Sequence, residues 1–368
     1  MVSHTKNEPV ARTCGFTILE LLVSMAVFAM LTVLIAQLTI SATAVATSGT
    51  KRMDADSQAR MIFDRMANDF AKMVKRPDVD CIFAKQPGND AMFFFSEAPA
   101  YSASGLGSTT KNTVALVGYR ISTNSPKYQP PIYVAGYPVL ERLGETLAWD
   151  GTTSNDAAAT KDNTAPGGMV FFAYPTGSAT PDPASTLDGN WANTIGSAAN
   201  HYTDGADQDY HVLSDTVYRM ELAFLLTDGT VSTMPVTNPS TSTNNLAASA
   251  APTVTADRSA GYTPGSRWFN TATSRGYICT DATTGAAVWN PIGVQDVSAV
   301  IVAIALLDNT SRKIIAGYDS MATALPDAAG STPIAKTWKN GNYLTGSGIP
   351  QAAASQLRIY QRTFYLNK

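Results

Sequence analysis

Hydrophobic and polar positions divide this chain into three stretches. Residues 1–15 are polar and include Lys6 and Arg12, and an apolar run follows at once from Phe16 to Ala46. Within that run, Leu21 to Ala36 are sixteen residues without a charge, interrupted only by Ser24 and Thr32. At 1.5 Å of rise per residue, a helix of this length can cross a bilayer. Basic residues before the run, with no basic cluster immediately after it, predict a cytoplasmic N-terminus and an exported bulk.

The pattern turns amphipathic over residues 51–76. Met53, Ala59, Ile62, Phe63, Met66, Phe70 and Met73 recur close to helical spacing, while Asp56, Arg60 and Asp64 follow one another at intervals of four. Pro77 is the expected stop. An unbroken helix from Phe16 to Arg76 would be on the order of 90 Å long. Gly49 and the Ser/Thr-rich stretch from Thr39 to Thr50 are the positions where it is expected to bend. A lone helix with this Met and Phe stripe would expose a large apolar surface. Its cover is the protein's own sheet, a neighbouring subunit, or each at a different height.

Beyond Pro77 the text becomes strand-like. Ala91–Ser96, Thr113–Ile121, Gly168–Ala173, Thr216–Leu226, Val297–Leu307 and Leu357–Leu366 are apolar runs, several rich in β-branched and aromatic residues and bounded by turn formers. Val297–Leu307 is nearly all apolar and reads as a central strand covered on both faces. Asp228-Gly229 is a turn signal. Tracts 150–167, 174–210 and 234–265 read as loops or insertions. Loops of that length are unusual in a compact domain, so they either hold short elements or form contact surface.

Composition sharpens this picture. Charged residues are 15% of the 368, below the roughly 25% usual for soluble domains. Net charge is −3, and the densest basic group, Arg60, Arg65, Lys72, Lys75 and Arg76, is interrupted by Asp64, Asp69 and Asp78. That excludes a phosphate-neutralising patch, and nucleic acid is not an expected partner. Of three cysteines, Cys14 precedes the apolar run. Cys81 and Cys279 remain as a candidate disulfide in an oxidising compartment, or as two separate buried thiols.

The most informative residue is Glu20, a carboxylate inside the apolar run. A charge at that depth is costly and marks function by default. If the chain is cut between Gly15 and Phe16, Glu20 becomes the fifth residue of the mature chain, one helical turn from the new α-amino group. A staggered neighbour's amine could then pair with it, removing two stranded charges together.

The stretch Gly15-Phe16-Thr17-Ile18-Leu19-Glu20-Leu21-Leu22 resembles the processing and methylation motif of type IV pilins and type II secretion pseudopilins. The resemblance implies cleavage after Gly15 by a prepilin peptidase/N-methyltransferase, N-methylation of Phe16, and Glu20 as the assembly carboxylate. Cys14 departs from the pattern where a basic residue often stands. The implied fold is α+β and pilin-like: a long N-terminal transmembrane helix packed on an antiparallel β-sheet head with long loop insertions. The expected divisions are a leader at 1–15, a helix at 16–76 with its membrane and assembly part at 16–46, and a β-rich head at 77–368.

Shorter stretches add to this. Tyr119-Arg120-Ile121 with Leu140-Glu141-Arg142, Met220 to Phe224 leading to Asp228-Gly229, and Trp289 with Ala299 to Asp308 resemble large minor pseudopilins of the J type. Arg358–Leu366 and the Ser/Thr-rich insertions are similar to oversized pilin-like proteins of Verrucomicrobia. What the resemblance implies is a structural minor pseudopilin that joins or caps a type II secretion-like pseudopilus. Its expected partners are other minor and major pseudopilins, the inner-membrane assembly platform and membrane lipid, with the head in the periplasm or on a fibre. The alternative is a pilus-associated adhesin or cargo-binding module, in which Trp149, Trp191, Trp268 or Trp338 would meet carbohydrate unless they pack in the core.

Chemistry of other kinds is poorly represented. His201 and His211 with an aspartate are a weak zinc candidate. Asp204, Gly205, Asp207 and Asp209 are a weak calcium candidate whose spacing does not fit the twelve-residue loop. Ser214-Asp215 near His211 does not make a triad, and no G-x-S-x-G or phosphate-binding glycine pattern occurs. No cofactor and no enzyme activity are expected.

Overall fold

One helix, α1, runs from Ile18 to Ala71. This computed structural model describes residues 17–75, 79, 81–85, 87–98, 114–123, 138–146, 210–315, 324–330, 333–340 and 349–366. The chain divides into two compact units, Met1–Asp54 and Ala55–Lys368, with the boundary inside α1. Gly49 and the Thr39–Thr50 stretch do not interrupt the helix. Thr39, Thr43, Thr47 and Thr50 each donate their hydroxyl to the carbonyl four residues back, at 2.7–3.1 Å. Just before Pro77, Met73 bridges Ser96 and the Val74 N–H donates to the Phe95 carbonyl. The helix thus ends at Ala71, ahead of the proline, where pairing with β2 begins.

Thirteen strands are described in the second unit. The first sheet is an antiparallel run in sequence order: β1 (Ile82–Ala84), β2 (Ala91–Ser96), β3 (Ala115–Ser122), β4 (Val139–Thr146) and β5 (Tyr210–Ser214). The second has the order β13-β12-β6-β7, also antiparallel, with β6 at Val217–Leu226, β7 at Val231–Ser232, β12 at Val297–Leu306 and β13 at Arg358–Tyr365. The third has the order β11-β10-β9-β8, where β8 is Asn245–Ala248, β9 Arg267–Asn270, β10 Arg275–Asp281 and β11 Val288–Ile292. Thus the tract at 234–265 contains part of a sheet, whereas the expected strand at Gly168–Ala173 lies outside the described residues. Long apolar helix and antiparallel sheets together make an α+β, pilin-like fold.

The amphipathic stripe packs into its own head. Ala59, Ile62, Phe63, Met66, Phe70 and Met73 join Met92, Phe94, Val117 and Tyr119 of the first sheet and Met220, Leu222, Phe224, Val300, Val302 and Ile304 of the second in one cluster. Phe70 stacks on Phe94 at 4.9 Å and on Phe364 at 5.0 Å. Burying one such side chain stabilises by about 1.5–3 kcal/mol. Met53 and Met61 stay exposed. On β2, Phe93 and Phe95 point the other way, into a second cluster with Leu116, Leu143 and Tyr210, which explains its unbroken apolar text. The small residue at Gly118 follows from that packing, since a Cβ there would lie 2.4 Å from the Phe93 ring. β12 is central and covered on both faces as expected. Val300, Val302 and Ile304 face the helix side, while Ala303 and Ala305 belong to the opposite cluster with Ile334 and Trp338.

Buried charges join the layers. Asp69 of α1 is fully buried and accepts two bonds from Arg142 of β4, at 2.7 and 3.0 Å, and a third from the Tyr119 hydroxyl. Burial raises the Tyr119 phenol well above its usual range, so it remains a donor. Beside β6, Lys85 donates to Asp90, Glu221 and the Leu222 carbonyl, and Arg219 bridges Glu221 to Asp327. Burial, reinforced by Glu221 against Lys85, raises the Asp90 carboxyl to about 7.

Replacing Asp69 with Ala strands Arg142, and should cost about 3–5 kcal/mol. Chemical denaturation of the detergent-solubilised chain measures it, and a loss below about 1 kcal/mol would show that the clip contributes little. The Asp90 shift sets a sign for pH dependence. Its unfolded carboxyl titrates near 3.8 and the folded one near 7, so the native state binds the extra proton between them. Stability from this group is full below pH 4, falls as pH rises towards 7, and is level above. Asp90→Asn should flatten that slope in melting temperatures taken from pH 4.5 to 8.

Candidate assembly site

The first described turn of α1 brings Thr17 and Glu20 together. The Thr17 N–H and hydroxyl both donate to Glu20 Oε2 at 3.0 Å, and the Glu20 N–H donates back to Thr17 Oγ1 at 3.3 Å. This is a reciprocal cap, in which residues three apart satisfy amide groups that a helix start leaves open. It occupies one carboxylate oxygen. Among the described residues, no hydrogen bond reaches Oε1, so the group keeps an acceptor for a further donor.

What surrounds this carboxylate is apolar and uncovered. Ile18, Leu19, Leu21, Leu22, Val23, Met25 and Phe28 are all more than half exposed. Ser24 and Thr32 turn their hydroxyls onto the carbonyls of Leu21 and Phe28, at 2.9 and 2.8 Å, which hides their polarity from a lipid solvent. Glu20 is therefore the one ionisable residue between Thr17 and Thr50. Among the described residues, α1 alone is long and apolar enough to cross a membrane. Gly15 and Phe16, the expected cut, lie outside the described residues.

Residues 11–36 match the family described as Prokaryotic N-terminal methylation motif. The match supports a type IV pilin-like protein. Neither the curated proteins nor the solved structures gave a match to the chain. Motif and apolar helix together point to a membrane-anchored, single-pass protein, and the motif implies, in general, peptidase processing and pilus-type assembly. The spacing that identified Glu20 also held a signal for Thr17 that motif reading passed over. Thr-x-x-Glu ahead of an apolar run is a capping box.

Other candidates fare differently. Cys81 and Cys279 are thiols, not bonded to each other. Cys81 packs against the main cluster beneath α1, whereas Cys279 sits in the small cluster of the third sheet. The disulfide expectation is therefore corrected: different cores hold the two side chains. Burial raises the Cys279 thiol, with Asp281 adding to it. Trp338 is buried and donates to the Pro326 carbonyl at 2.8 Å, so it serves packing. Trp268 is half-buried, and Trp149 and Trp191 lie outside the described residues. His211 stands on β5, but His201, Asp204, Gly205, Asp207 and Asp209 also lie outside them. Among the described residues, no group of three or more His, Cys, Asp or Glu is placed to hold a metal ion.

Thr17→Val removes both hydroxyl bonds of the cap while keeping the shape. It should loosen the first turn by about 1 kcal/mol, read as several-fold faster amide exchange at Leu19–Leu22 in micelles. Unchanged exchange there would mean that the cap does not order the helix start.

Proposed function

We propose that this pilin-like chain is a minor pseudopilin of the J type that helps initiate or cap a type II secretion-like pseudopilus. The observation that carries the reading is a lone carboxylate with one open oxygen on an uncovered, otherwise apolar helix. Residues 1–15 are the leader in this scheme. Cleavage after Gly15 frees an amine at Phe16, which is then methylated. As a neighbouring subunit docks along its own helix, its amine meets Glu20, and two charges that lipid disfavours neutralise one another.

Placement at a tip is supported by bulk. The head carries a third sheet beyond the two that pack on α1, and repeating it at every step of a fibre is sterically harder than placing it once. Major and minor pseudopilins, the prepilin peptidase, the inner-membrane platform and lipid are the partners this role requires. The short likenesses to J-type heads agree with it. The likeness to oversized Verrucomicrobia proteins bears on lineage rather than role.

Intact-mass analysis of the natively purified protein tests the scheme directly. Loss of residues 1–15 with gain of one methyl group is expected, and an uncut N-terminus would refute it. Glu20→Ala should insert normally but lose about 3 kcal/mol or more of docking free energy, the scale of a stranded charge. Crosslinking to partner subunits measures that loss. Self-contacts along a whole fibre, without other subunits, would remove the tip assignment.

A further inference from the structure

Between β7 and β12 the chain leaves the second sheet and builds the third. That small sheet has an apolar cluster on each face: Val236, Phe269 and Ile292 on one, and Ala256, Tyr277, Cys279 and Trp289 on the other. The chain then returns to the point it left. Leu226 of β6 pairs with Val297 of β12, and the Thr227 N–H donates to the Asp296 carbonyl at 2.9 Å. An insertion with its own core and adjoining ends is a module added to a hairpin, since β6 and β12 are antiparallel neighbours without it.

The module's electrostatics are blank. Thr233 to Asp296 contain six charged residues: Asp257, Arg258, Arg267, Arg275, Asp281 and Asp296. Asp257 and Arg275 are buried, and Arg267 pairs with Asp296 at 2.8 Å at the neck. Arg258 and Asp281, of opposite sign, are the exposed pair. Such a surface offers nothing to steer a nucleic acid, an acidic polymer or a charged membrane.

One face of the module presents aromatic rings instead. Tyr262, Trp268 and Trp289 touch one another at centroid distances of 5.4–5.8 Å. Trp289 is buried and its indole N–H is spent on the Ala256 carbonyl at 2.9 Å, while Tyr262 and Trp268 pack partly buried against it, the Trp268 indole N–H donating to the Ala250 carbonyl at 2.8 Å. Rings backed in this way form a rigid platform that loses little entropy on binding. The adjoining segment, 250–263, exposes Thr253, Thr255, Ser259 and Thr263 and one charge, Arg258, which Asp281 offsets. Apolar rings bordered by uncharged hydroxyls suit a partner that combines C–H faces with many hydroxyls and has no charge. We infer that the insertion between β7 and β12 is a recognition module for neutral carbohydrate, with Tyr262 and Trp268 as its platform. This stands independently of any place in a fibre.

The full chain in detergent micelles is applied to an array carrying cellohexaose, chitohexaose and mannohexaose, with acidic glycans alongside. Saturable binding to at least one neutral oligosaccharide is expected, and at least about tenfold weaker binding for Trp268→Ala. Because that change can loosen the module, Thr263→Asp, at an exposed border position, should weaken binding without touching the core. A third chain in which a short Gly-Ser linker replaces Asn238–Gly293, keeping β7 and Val294 in place, should be processed and crosslinked normally but bind no glycan. Failure of the full chain to bind any neutral glycan overturns the inference. So does binding that survives the excision, preference for the acidic glycans, or insensitivity to both substitutions. Loss of processing or crosslinking on excision overturns the claim that the module is separable.

Discussion

A single helix has to satisfy two different solvents, and the rest of the molecule follows from that constraint. Its first half is apolar around its whole circumference, with hydroxyls folded back onto the backbone, as lipid demands. From Ala59 onward it has one apolar stripe, which goes into the cleft between two antiparallel sheets. Ile62, Met66 and Phe70 are essentially inaccessible there. Each sheet supplies one wall, so neither sheet's inner face could be dry without the helix.

Polar contacts then decide how the elements register. Asp69 lies in the last turn of α1 and takes a bidentate guanidinium from β4 and a hydroxyl from β3. Such a clip adds little over an apolar isostere but is specific, because another rotation of the helix would part Asp69 from Arg142 and leave a buried guanidinium without its carboxylate. On the far face of the first sheet, Arg120 and Glu141 pair at 3.0 Å with both side chains buried, and Arg120 lies over the Tyr210 ring. Buried ion pairs of this kind narrow the alternatives open to an otherwise apolar core.

At the opposite end of the helix a polar contact has a different purpose. Thr17 holds one oxygen of Glu20 and leaves the other open, so the cap orders the helix start without consuming the group's capacity to accept. The head follows the same economy. Its third sheet has apolar clusters of its own, distinct from the one that holds α1.

Much of this was legible from residue order. The membrane-length run, the lone Glu20, the stripe from Ala59 to Met73 and the strands β2, β3, β6, β12 and β13 all follow from periodicity and composition, because burial on a helix face or within a sheet selects apolar residues locally. The small strands of the third sheet were hidden: Asn245–Ala248 and Arg267–Asn270 are four residues each, in Ser/Thr-rich text whose pairing partners are distant. Tertiary structure alone decided that the stripe meets its own sheets, that the helix stops at Ala71, where pairing with β2 begins, that Asp69 finds Arg142, and that Cys81 and Cys279 belong to separate cores. Local sequence dictates what each segment must bury; which partner buries it depends on contacts between residues far apart in the chain.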